Sequence, residues 1–414
     1  MTTPPADLSS LPQLSDVQAA LTRVRSRLPM TPCTYSAGLS ELVGKTIYCK
    51  WDHKFRTGSF KERGALNFLL ALEADVHARG VCAASAGNHA LALSYHAAQL
   101  RVPCLIVMPT SAPLVKVQAT EKTGAEVILK GTTFDEAYEA ALKLAEERKM
   151  QFVPAFDHPL IIAGQGTAAL EILEQYPALE AIVVPVGGGG LISGIAIALK
   201  ALKPSVQILG VQSEWAVEVK AHPGQYRHAK IKPTTIADGI AVKRVGKITQ
   251  PIIKSSVDQL VAVSEAEIAD GIMQYLSIER TVIEGAAAAG LAALLAGKFP
   301  QLPERCVLMA CGGNIDMNVL SRLIERDMAH HQRHLRAVVS VPDRPGSLYT
   351  ISGIIAECGA NVLEVLHNRS FSHIPGHVDI TFLLEVRDAA HRAQVLQALH
   401  EVKLSVRELD SSNA

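Results

Sequence analysis

Four short segments of this chain carry residue types that chemistry needs. In HKFRTGSFKERGA, residues 53–65, Gly58-Ser59 opens a helix whose first turn holds Lys61. A helix start disfavours an ammonium, which biases such a lysine towards the neutral amine, a nucleophile able to form a Schiff base with an aldehyde. A solvated lysine beside Glu62 and Arg63 would show the same pattern. ASAGNHA, residues 84–90, sets Ser85, Ala86, Gly87, Asn88 and His89 between a strand and a helix. Side-chain donors and free helix-start N–H groups together suit a carboxylate, although an ordinary helix cap uses the same residues. VPVGGGGLISG, residues 184–194, places Gly187, Gly188, Gly189, Gly190 and then Leu191 between a buried strand and a helix. Backbone N–H groups there can crowd around an anion, in the form of a phosphate cradle. No P-loop lysine follows, and the spacing is not that of a dinucleotide site. ACGGN, residues 310–314, ends an apolar strand at Cys311, a weak donor or acceptor for a ligand edge or simply a small buried residue before a turn.

Taken together, a lysine nucleophile, a carboxylate site, a phosphate cradle without nucleotide features and a small polar side chain call for pyridoxal phosphate. A protein using that cofactor must hold its phosphate, bind its aldehyde, touch its ring nitrogen and fix the amino-acid carboxylate.

The elements that must position these groups alternate in type. From about residue 46 to 329, strands and helices follow one another: 46–52, 59–74, 80–85, 88–101, 103–109 and 112–124. That rhythm specifies a parallel sheet. PCLIVMP, AIVVPV and CVLMACGG are continuous apolar runs, expected of strands covered by helices on both faces. Ahead of them, Ser15-Asp16-Val17-Gln18 reads as a capping box opening a helix through Leu28. All four chemical segments fall where a strand gives way to a loop or helix, the ligand-binding edge of an open α/β sheet.

After Ala329 a polar stretch, HHQRH at 330–334, reads as a solvated linker rather than a metal site. Residues 335–414 then carry a separate β-α-β-β-α-β pattern: strand 335–341, helix 347–359, strands 361–371 and 377–386, helix 389–402, strand 404–410. HVDITFLLEV alternates, as an antiparallel strand with one packed face must. The expected organisation is a body at 1–329, with a smaller lobe over about 51–155 that closes on the substrate, the linker, and a ferredoxin-like module at 335–414.

Composition bounds the partners. With 414 residues, 48% apolar and 19% charged, the chain can bury more than one core. Forty basic residues balance forty acidic ones, so neither nucleic acid nor an anionic membrane is an expected partner. The most apolar run, 285–297, stops at Lys298, short of the roughly 20 residues of a membrane span. Residues 1–16 do not read as a secretory signal. Seven scattered cysteines without a Cys-x-x-Cys pair fit the reducing cytoplasm.

TGSFKERGA, SAGNHA, GGGG and CGGNIDMN, in this order and spacing, resemble the fold type II pyridoxal-phosphate enzymes, in the threonine dehydratase (threonine ammonia-lyase) branch that ends in an ACT domain. VPDRPGSL, residues 341–348, is similar to the opening strand and turn of an ACT domain. The resemblance implies that Lys61 carries the cofactor, Phe60 flanks its ring, Asn88 bonds its 3-hydroxyl and Gly187 to Leu191 bind its phosphate. Cys311 would stand where the family usually has Ser, facing the ring nitrogen, and Glu284 near the ring's far edge. Ser85, Ala86, Gly87, Asn88 and His89 would hold the substrate carboxylate. It implies the removal of water from L-threonine and L-serine, with Lys61 as anchor and base, giving a 2-oxo acid and ammonia. It further implies a homodimer or homotetramer regulated by an amino acid bound around Asp343, Arg344, Pro345, Gly346 and Asn361.

Two competing readings and two departures from the pattern matter. Serine racemases, which share the scaffold, carry a second base at the position of Ala86, so racemisation is the lesser alternative, beside 3-hydroxyaspartate dehydration. A non-catalytic amino-acid sensor is disfavoured because Lys61 and the glycine loop are both retained. Gln212 stands where related dehydratases have a cation-binding carboxylate, with Glu214 and Glu218 nearby, so no metal is expected. Leu91 replaces a commonly polar residue, which would bear on substrate size.

Overall fold

The computed structural model describes residues 11–215, 218–219, 226–227, 235–242, 244–330, 333–368, 376–402 and 405–409. These form two compact units that divide between Ile315 and Asp316. In the first, a six-stranded sheet runs in the order 33–35, 46–50, 305–309, 181–185, 207–213, 259–263. Only the first pair is antiparallel. The strand Ala181–Pro185 is buried along its whole length, as a central strand covered on both faces must be. A second, four-stranded parallel sheet runs 126–129, 104–108, 81–84, 151–152. Its strands come entirely from within the stretch 51–155.

The helix Lys61–Leu70 is held from beneath. Gly64 and Gly164 meet where it crosses the helix Pro159–Gln175, and a Cβ on Gly164 would stand 2.7 Å from the Arg63 carbonyl. Farther along, a Cβ on Gly166 would stand 2.7 Å from the Gly194 carbonyl of the helix Gly190–Leu202. Glycine at these crossings lets three helix backbones touch, which fixes the start of the Lys61 helix relative to the start of the glycine-loop helix.

The same helix is tied by buried charge. Arg63 pairs with Asp52 at 2.7 Å and with Glu171 at 2.7 Å, and Lys50 pairs with Glu171 at 2.6 Å. Two cations against two carboxylates leave no net charge, and Thr31 and Thr167 accept from the remaining Arg63 N–H groups. Burial raises the cost of each ion, but opposed charges and a filled set of hydrogen bonds offset it. Arg63 and Glu62, the neighbours beside which a solvated lysine could have stood, are both buried.

The first helix spans Leu14–Val24, starting two residues earlier than the sequence indicated and ending four residues before Leu28. The Asp16 carboxylate accepts from the Gln13 N–H at 2.8 Å, so Asp16 is the third helical residue rather than part of a cap opened by Ser15.

In the second unit a helix, Met317–His330, precedes an antiparallel sheet in the order 361–368, 377–385, 334–342, 405–408. Val378, Ile380, Phe382 and Leu384 point to one face and pack with Ile351, Ile355, Val395 and Leu399 of the helices Ser347–Glu357 and Ala389–Glu401. Of the polar stretch at 330–334, His330 ends the helix Met317–His330 and His334 begins the first strand, residues 331–332 lying outside the described residues. Outside them too are the expected strand ends at 369–371, 404 and 410. Among the described residues, no helix is long and apolar enough to cross a membrane.

Candidate cofactor and substrate site

Lys61 is the first residue of its helix, with Phe60 at the cap and the Phe60 ring centroid 5.2 Å from Nζ. Its Nζ donates to the Ala155 carbonyl at 2.8 Å. Burial of the ammonium lowers its pKa to about 8, against the opposing pull of Cys311 and Glu284. About a tenth of the amine is then neutral at pH 7, against roughly one part in 3,000 for an ordinary lysine, and the neutral form is the Schiff-base nucleophile. The loop before it is sewn to residues 311–314. Phe60 N–H donates to the Cys311 carbonyl at 2.9 Å, Gly313 N–H to the Gly58 carbonyl at 2.9 Å, and Ser59 bridges Gly312. This places Cys311, fully buried, next to Lys61, and burial raises the thiol well above its ordinary pKa, keeping it uncharged.

Asn88 begins the helix Asn88–Leu100 and joins a polar network. Its Nδ2 donates to both Glu284 oxygens, at 2.8 and 3.0 Å, while its Oδ1 accepts from Asn314 Nδ2 at 2.8 Å. Asn314 also donates to Glu284 through its backbone and to the Thr57 carbonyl at 2.8 Å through its side chain. Burial raises the Glu284 carboxyl to about 7, with the Asn88 bond pulling the other way. A Cβ on Gly312 would lie 2.1 Å from Glu284 Oε1, so any larger residue there would displace this carboxyl.

Backbone groups engage both Ser85 and His89, but the Ser85 hydroxyl proton is left free to donate. Ser85 Oγ accepts from the N–H groups of Gly87 and Ala90, each at 3.3 Å. His89 is buried with Nε2 3.1 Å from the Val153 carbonyl, and desolvation, aided by Lys61, depresses its pKa to about 3. The N–H groups of Ala86, Asn88 and His89 meet no acceptor among the described residues. The donors this loop offers a carboxylate are therefore the N–H groups of Ala86, Asn88 and His89 and the Ser85 hydroxyl, whereas His89 is held by the Val153 carbonyl.

At the glycine loop, the N–H groups of Gly187, Gly188, Gly189, Gly190 and Leu191 likewise meet no acceptor among the described residues. Gly189 has φ +91, a left-handed conformation for which glycine is suited. A Cβ on Gly188 would lie 2.3 Å from the Phe156 ring. Unmet donors at a helix start, in a loop too tight for side chains, fit a phosphate. Thr57 Oγ1 and Ser59 Oγ, near Lys61, are buried without a hydrogen-bond partner among the described residues. The groups present therefore fit pyridoxal phosphate at the aldehyde and phosphate ends.

Residues 24–312 match the family model for pyridoxal-phosphate dependent enzymes, and residues 336–404 match the ACT domain. The chain belongs to the pyridoxal-phosphate dependent enzymes. Within this family it is 44% identical to an L-threonine ammonia-lyase of Thermotoga maritima, over 93% of this chain and 96% of the relative. Among solved structures, the processed form of threonine deaminase isoform 2 from Solanum lycopersicum aligns with TM-score 0.70 and 34% identity, over 75% of this chain and 86% of that one. A maize serine racemase aligns with TM-score 0.71 and 30% identity, over 78% and 99%.

Sequence reasoning missed three partners in this pyridoxal-phosphate enzyme. Asn314 stood within a quoted motif but was assigned no role; its place after Gly-Gly was the available signal. Phe156 and the Ala155 carbonyl carry no sequence signal, because their contacts come from segments far apart in the chain.

In the ACT domain one correction is needed. Gly346, at φ +93, does cap the helix Ser347–Glu357, but Asn361 is not beside the Asp343–Gly346 turn. Asn361 pairs with Glu385, which pairs with His334 at the start of the first strand, whereas Pro342 at that strand's end pairs with His377. Eight strand steps of ~3.3 Å separate the two ends. The helix between them runs back along the sheet and delivers Asn361 to the far end.

Proposed function

We propose that this chain removes water from L-threonine, and from L-serine, releasing a 2-oxo acid and ammonia. The observation that carries the reading is a weakly basic Lys61 set among two groups of unmet backbone donors, one at 187–191 and one at Ala86, Asn88 and His89. Pyridoxal phosphate, when bound, supplies the electron sink that makes an amino-acid α-proton removable. Lys61 is the attachment point and, once displaced by the substrate amine, the base that takes this proton. The Ala155 carbonyl is placed to hold the resulting ammonium. The N–H groups of Ala86, Asn88 and His89 bind the substrate carboxylate, and the glycine loop binds phosphate. Asn88, oriented by Glu284 and Asn314, would lie beside the ring, and the uncharged Cys311 would give the ring nitrogen no ionic partner. Closure of the smaller lobe over the substrate would exclude water.

Serine racemases share the scaffold, but Ala86 offers no hydroxyl for a second base. Assay of 2-oxo acid release from L-threonine, L-serine and 3-hydroxyaspartate tests the reading; L-serine converted mainly to D-serine would overturn it. The ACT domain is assigned regulation by an amino acid at the Asp343–Gly346 turn, in a cytoplasmic homodimer or homotetramer. The assignment predicts an amino-acid-dependent shift of the substrate saturation curve that is lost in a chain ending at Ile315.

A further inference from the structure

The glycine loop does not hold its own shape. Its Gly188 carbonyl accepts from Thr249 Oγ1 at 2.7 Å and from the Gly246 N–H at 3.2 Å. Because a trans peptide is planar, its carbonyl and the following N–H point in opposite directions. Two donors on the Gly188 carbonyl therefore aim the Gly189 N–H to the other side of the loop.

Those donors are in turn placed by one carboxylate. Asp157 Oδ2 accepts from the Lys247 N–H at 2.7 Å, and Oδ1 from the Ile248 and Thr249 N–H groups at 2.9 and 3.3 Å. Gly246 packs directly on it, since a Cβ there would lie 2.1 Å from Asp157 Oδ1. The three N–H groups belong to the start of the helix Thr249–Ser256, which no side chain of its own sequence caps. An uncapped helix start beside the loop would be a second attraction for an anion. Asp157 covers it with negative charge, leaving the donors at 187–191 for the phosphate. Its neighbour Phe156 packs on Gly188, so one short segment braces the loop from two sides.

We infer that Asp157 is a positioning residue for the cofactor phosphate, acting through Thr249 and Gly246 on the Gly188 carbonyl. This rests on the phosphate reading of the glycine loop, and the test separates the two. The affinities of the cofactor-free protein for pyridoxal phosphate and for pyridoxal, which lacks the phosphate, are measured by absorbance for wild type, Asp157→Ala and Asp157→Asn. Wild type should prefer pyridoxal phosphate strongly. Asp157→Ala should weaken pyridoxal phosphate roughly tenfold or more, from the loss of charge-assisted bonds, while leaving pyridoxal unchanged. Asp157→Asn retains an acceptor but turns an amide donor towards the N–H groups, and should weaken it less. Should Asp157→Ala fail to fold, the Asn variant decides. Equal losses for both ligands mean general destabilisation and overturn the inference, as does unchanged preference in a folded variant. If wild type shows no preference for pyridoxal phosphate over pyridoxal, the phosphate reading of the loop itself is wrong.

Discussion

Replacing Glu284 with Gln keeps its shape and removes its titration. The folded protein holds this buried carboxyl at about 7, against an ordinary value of 4.5. A carboxyl raised on folding contributes stability below its unfolded value, and that stability is lost as pH rises through the folded one. At about 1.4 kcal/mol per pH unit, the loss between pH 4.5 and 7 comes to roughly 3 kcal/mol. Gln cannot titrate, so its curve lacks this slope. The substitution also puts an amide donor among the donors of Asn88 and the Asn314 backbone, at a cost of about 1–3 kcal/mol that does not vary with pH. The two effects separate in the wild-type-minus-variant difference, which should change by roughly 3 kcal/mol across pH 4.5 to 8, to the disadvantage of wild type at high pH. Urea unfolding of the cofactor-free protein, followed by tryptophan fluorescence, reads it, because Trp51 and Trp215 both lie in the first unit. A difference that stays constant over that range would refute the argument that burial raised this carboxyl.

Capture of pyridoxal phosphate by cofactor-free protein should accelerate with pH and half-saturate near 8, the lowered Lys61 value; a midpoint near the ordinary 10.5 would contradict the burial argument. Lys61→Ala should abolish both the visible absorption of the covalently held cofactor and 2-oxo acid release. Arg63→Met leaves Asp52 and Glu171 facing one another with a single remaining cation, and should cost about 3–5 kcal/mol in urea unfolding. Gly312→Ala pushes a methyl into Glu284 and should cost about 1–3 kcal/mol; a neutral outcome would mean the 311–314 loop is looser than its contacts indicate. Ala86→Ser should bring measurable D-serine formation from L-serine, and none at all would count against the facing-base argument.

Local signals carried far along this chain. The 3.6-residue and unbroken apolar patterns located most helices and strands to within a few residues, because propensity and burial on both sheet faces leave little choice of conformation. Lys61, the 84–90 loop and the four glycines were legible because each sits on a strand-to-helix transition and has a distinctive residue type. The sequence could not say which way a side chain turns. Ser85 and His89 look alike as ligand donors in the motif, but in the fold His89 is held by the Val153 carbonyl, while Ser85 keeps its hydroxyl proton and the neighbouring N–H groups are left for a ligand. Nor could periodicity place Asn361, since only strand register decides at which end of the sheet a residue emerges. Asn314, Ala155 and Asp157 act on segments up to 257 residues away. Pairings of that kind arise when distant strands and helices pack, so tertiary structure alone decided them: neither a neighbour in sequence nor a repeat period encodes which carbonyl will meet Lys61 or which carboxylate will brace the glycine loop.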